Sequence, residues 1–103
     1  MRAYLRAVRF YNGALQDGHM AGPNADEVMA ILAASTPIKD PAIYKSITPT
    51  GMNPDGHVNI KSLADDLQFY REQGLIESSV KLDELVDHSF VDAVLKELGP
   101  YQK

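Results

Sequence analysis

The chain has 103 residues, 45% of them hydrophobic and 23% charged, with a net charge of −4 and no cysteine. That length supports at most one modest core, burying roughly two-thirds of the unfolded surface, and that composition is globular rather than disordered. The acidic balance argues against a nucleic-acid partner, whose phosphates need a clustered positive surface, and the missing cysteines exclude disulfide and thiolate chemistry without choosing a redox compartment.

Residues 1–17 read as a helix. Tyr4, Val8, Tyr11 and Leu15 recur at i, i+4, i+7 and i+11, Leu5 widens the stripe, and Arg2, Arg6 and Arg9 lie on another face. Asp17-Gly18 supplies the expected stop. A helix that opens at residue 1 without a capping residue leads us to expect more chain upstream in a longer protein. The opening MRAYLRAVRFY interleaves arginine with apolar residues, unlike a secretion signal, and no apolar run approaches the ~20 residues of a membrane span.

Asn24 is the expected cap of a second helix, with Glu27 completing a capping box and Ala25, Val28, Met29 and Leu32 on the apolar face. Pro37 ends it. Asp40-Pro41 pairs a capping carboxylate with proline at the first helical position and opens a short third helix carrying Ile43, Tyr44 and Ile47. Residues 48–59 form the longest irregular segment. Asn59 then caps a fourth helix with Ile60, Leu63, Leu67 and Tyr70 as its buried stripe and Lys61, Asp65, Gln68 and Glu72 toward water. Gly74 is its natural C′ residue, with Leu75-Ile76 behind it as an apolar anchor. Lys81 to Leu85 fits one helical turn, and Asp87 caps a last helix with Phe90, Val91, Val94, Leu95 and Leu98 inward, closed by Gly99-Pro100. No run reads as a strand. The expected fold is all-α, about five helices or helical turns in a single helical domain over residues 1–103.

Catalytic chemistry finds no foothold. The loop Gly51-Met-Asn53-Pro-Asp55-Gly56 resembles part of a calcium loop, but when it is aligned on Gly56 the positions that need an acid hold Gly51 and Ser62. His19, His57 and His88 never pair at i, i+3 or i+4, the spacing of a helical metal site, and read as surface residues beside turns. Asp65-Asp66 reads as a solvated helix face rather than an acid–base pair. The arginine stripe reads as solubility plus stem packing. No nucleophile elbow and no phosphate-cradling glycine loop is present. The expectation is therefore no catalytic residue, no metal, no cofactor and no enzyme activity.

Several of these segments, taken in order, resemble one family. MRAYLRAVRFYNGAL is similar to the helix after the last sheet crossing in substrate-binding proteins of bacterial ABC importers, in the nitrate/sulfonate/taurine-like and thiamine-pyrimidine-precursor-like group. Ile31-Leu32-Ala33, Thr36, Ile38, Asp40-Pro41 and Tyr44 resemble their central run. The stretch NPDGHVNIKSLADDLQFYREQGLIE resembles their glycine-turn and helix segment, and residues 85–101 their closing helix. The resemblance covers about residues 1–101 and rests on order and spacing, since each motif is only a cap, a stop or a core stripe.

The resemblance implies a two-lobe α/β protein of which this chain is the C-terminal helical part, roofing one lobe's sheet as layered architecture requires. It implies a periplasmic or extracytoplasmic location, with upstream α/β lobes of the same protein and an ABC permease as partners. It also implies a small nitrogen- or sulfur-containing solute bound upstream, so no ligand-binding residue can be assigned here. A helical face parted from its sheet is expected to repack its helices on one another or to self-associate. The alternative reading is a free-standing helical protein-interaction module.

Overall fold

The first helix, α1 (Arg2–Gly13), stops short of residue 17 because the Asp-Gly dipeptide makes a hairpin instead of a helix terminus. Asp17 (φ 50°) and Gly18 (φ 78°) both take positive φ, the requirement of a type I′ turn and the conformation that Asp-Gly favours. They join β1 (Leu15–Gln16) to β2 (His19–Met20) in antiparallel register, Leu15 opposite Met20 and Gln16 opposite His19. This short ribbon corrects the expectation of no strand. The computed structural model describes all 103 residues, and the helices take up just over half of them.

The remaining elements are α2 (Ala25–Ser35), α3 (Pro41–Ser46), α4 (Ile60–Glu72), a 3₁₀ turn (Leu82–Glu84) and α5 (Ser89–Leu98). The all-α class holds. The chain divides into two compact units, residues 1–56 with 99–103, and residues 57–98.

In the first unit, the ribbon folds back on the end of α1. The Ala21 and Gly22 amides both donate to the Ala14 carbonyl, at 3.1 and 2.8 Å. Gly22 has to be glycine, because a Cβ there would lie 2.2 Å from the Gly13 carbonyl oxygen. The expected capping box at α2 does not form. The Asn24 side chain makes no cap bond and instead donates from Nδ2 to the Phe10 carbonyl at 2.7 Å, tying the start of α2 to α1. At α3 the expectation holds: Asp40 Oδ1 accepts the Ala42 amide at 2.9 Å, with Pro41 at the first helical position. Tyr44 points inward, and its hydroxyl donates to the Ile38 carbonyl and lies 2.6 Å from Thr36 Oγ1, so the buried ring carries a satisfied polar tip. Ile43 and Ile47 stay exposed. The core joins Ala14, Met20, Ala25, Val28, Met29, Ala33 and Tyr44, with Tyr11, Leu15 and Leu32 packed at its margin.

In the second unit, Asn59 Oδ1 accepts the Ser62 amide at 3.1 Å and caps α4 as expected. The helix ends in a Schellman arrangement, with Gly74 at φ 69°, its amide donating to Arg71 O and the Leu75 amide to Tyr70 O. The side chains depart from expectation. Of the stripe on α4 only Leu67 is buried, Ile60 and Tyr70 are exposed, and Leu75 is 71% exposed rather than anchored. On α5 Val91 and Val94 are buried while Phe90 is exposed. Asp87 Oδ1 accepts the Ser89 amide at 2.8 Å in front of α5.

Candidate functional site

An apolar groove opens on the surface of the first unit. Its walls are Tyr4, Ala7, Val8, Phe10 and Tyr11 on α1, Val28, Ile31 and Leu32 on α2, and Met52. The groove encloses about 410 Å³. It arises because α1 has two apolar edges. Leu5 and Val8 face inward and are buried, while Tyr4, Phe10 and, across on α2, Ile31 are 54%, 40% and 49% exposed. The expected stripe Tyr4-Val8-Tyr11-Leu15 is thus rotated relative to the core, and its leading edge opens outward.

The loop that carries Met52 is held by side chains of α1. Tyr11 donates its hydroxyl to the Thr50 carbonyl at 2.8 Å, and Asn12 Nδ2 donates to the Met52 carbonyl at 3.0 Å. Partial burial pushes the Tyr11 phenol above its ordinary value.

Arg9 departs most from its expected role. It does not belong to a solvated basic stripe. Its guanidinium donates to the Pro54 carbonyl at 3.0 Å, to Asp55 Oδ1 at 2.9 Å and to the Gly99 carbonyl at 2.6 Å, and lies 6.0 Å from the centre of the Tyr101 ring. Asp55 Oδ1 also accepts the Tyr101 amide at 2.8 Å. The calcium-like loop serves as a clamp: Asp55, at a ligand position of that alignment, accepts at Oδ1 from a guanidinium and an amide. Arg2 and Arg6 remain on the surface.

His19 is exposed on β2. Asp65 accepts from Lys61 Nζ at 2.7 Å across one helical turn, an exposed pair of small energetic weight. His57 and His88 come together in the second unit, with ring centroids 4.9 Å apart. Their separation of 31 positions hid that pairing, as the 46 between Arg9 and Asp55 hid the clamp. The one local signal available for the groove was a first helix with more apolar positions than a single core-facing stripe uses.

The groove can receive apolar side chains, and the titratable groups among its wall residues are the phenols of Tyr4 and Tyr11. Compared with known protein families, with curated proteins and with solved structures, the chain gave no match.

Proposed function

We propose that this chain is the C-terminal helical part of the extracytoplasmic solute-binding component of an ABC importer, and that its role there is structural. The observation that supports this reading is the groove on α1 and α2. Its first unit already has a core of its own, yet it leaves Tyr4, Phe10 and Ile31 turned outward in one continuous apolar trough. A trough of this shape can take apolar side chains, and the sheet of an α/β lobe presents an apolar face. The family resemblance of residues 1–101 supplies the identity of that lobe. Solute then binds between upstream lobes, and closure of the lobes is read by the permease.

The test is to read the coding sequence in frame around Met1 and purify the protein it specifies. The expected product carries two α/β lobes upstream and retains a small solute detectable by mass spectrometry, while calorimetry of residues 1–103 with that solute gives no heat. A start and a stop codon bracketing these residues would instead favour a free-standing interaction module, with the groove as its partner site.

A further inference from the structure

We propose that His57, His88 and Asp92 form an acid-released latch joining the chain in front of α4 to the start of α5. The inference is independent of the groove and of the importer reading. His57 Nε2 lies 2.8 Å from Asp92 Oδ1, and His88 Nε2 accepts the Val58 amide at 3.1 Å. The two rings meet edge to face. His57 and Val58 sit just before the capping residue Asn59 of α4, and His88 just before Ser89, the first residue of α5. Two helix starts are thus held together through imidazoles.

The bond from Val58 requires a lone pair on His88 Nε2, so that imidazole carries its proton on Nδ1. Taking up a second proton fills the lone pair and removes the acceptor. The same proton places a cation at the start of α5, where the helix dipole opposes it, and beside a second imidazole. The acids near the pair partly offset this charge. Asp92 on α5 bonds His57, Asp87 neighbours His88 in front of α5, and Asp83 on the 3₁₀ turn lines the same hollow as His88. From α4 the residue facing that hollow is the apolar Ile60. Asp92 holds His57 whether or not the ring is charged, whereas the lone pair that His88 loses leaves the exposed Val58 amide to water. Acid therefore releases Val58 and leaves His57 in place.

The experiment is nitrogen-resolved NMR of the imidazoles and of the Val58 amide in the full chain from pH 8 to pH 5. At pH 8 His88 is expected as the Nδ1–H tautomer. The Val58 amide should shift with the same midpoint as His88. Its exchange protection, normalised to an unstructured amide at each pH, should fall by about five- to tenfold, the loss of one hydrogen bond. In His88→Gln the pH-dependent step at Val58 should vanish. In Asp92→Asn, which leaves His88 and Val58 in place, the step should persist but be displaced to lower pH, because a carboxylate that favours the charged rings is gone. An Nε2–H tautomer of His88 at pH 8, a Val58 amide indifferent to the titration, or the same step persisting in His88→Gln would overturn the latch.

Discussion

The two units hold a similar proportion of apolar residues, 27 of 61 in the first and 19 of 42 in the second, but bury them differently. Nine of the twelve buried hydrophobic residues, Leu5, Val8, Ala14, Met20, Ala25, Val28, Met29, Ala33 and Tyr44, belong to the first unit. Only Leu67, Val91 and Val94 belong to the second. The second unit also leaves Phe69, Tyr70, Leu75, Leu85 and Phe90 outward. Its regularity comes from local devices: the Asn59 cap, the Schellman end at Gly74 and the Asp87 carboxylate on the Ser89 amide. The lesson is that a well-punctuated helix need not be a well-packed one, since caps define where a helix lies and burial decides how firmly it is held.

The contrast can be broken most directly by emptying each interior. Met29→Ala removes one of the two largest fully buried side chains and should cost about 2–4 kcal/mol in urea unfolding. Val94→Ala should cost only about 1–2 kcal/mol, with its effect on amide exchange confined to residues 57–98. Equal costs would erase the distinction. Next in size is Arg9→Met, which keeps the stem but deletes the clamp on Pro54, Asp55 and Gly99. Because the pair is only partly shielded from water, about 2 kcal/mol is expected, read by urea unfolding with exchange loss at residues 52–56 and 99–101. Asn59→Ala should cost about 1 kcal/mol and fray α4 alone, visible as faster exchange of the Ser62 amide.

The smallest effect concerns Asp87. Its hydrogen bonds to Ser89, side chain first and then backbone, hold the carboxyl below the ordinary value of 3.8. A carboxyl lowered in the fold contributes stability that is fully present above the unfolded value and lost as pH falls through the folded one. Carbon-resolved NMR titration should therefore place the Asp87 midpoint under 3.8, and Asp87→Asn should remove that acid-sensitive share while keeping a cap acceptor. A midpoint at or above the ordinary value would detach the cap from the stability of α5.

What the sequence made legible follows the same division. The starts of α3 and α4, the end of α4 and the 3₁₀ turn are encoded within a few residues of where they act, through Asp40-Pro41, Asn59 and Gly74. The hairpin was equally local, since Asp17-Gly18 is a strong type I′ signal. Ending the apolar stripe of α1 at that same dipeptide concealed it. Asn24 shows how tertiary structure overrides a motif, because its amide serves Phe10 rather than its own helix. The orientation of the stripes was not legible. Tyr4, Ile60 and Tyr70 repeat at helical spacing yet face outward, and periodicity reveals that a face exists without saying what covers it. The Arg9 clamp and the histidine pair depend on separations that only the folded chain brings together.

The central claim is that the groove on α1 and α2 is a surface made to be covered. Light scattering of the purified chain against concentration, beside Ile31→Glu, tests it most directly. The account predicts an average mass that rises with concentration in the unaltered chain and stays at one copy in the charged variant. A chain that remains strictly monomeric over the same range would contradict it.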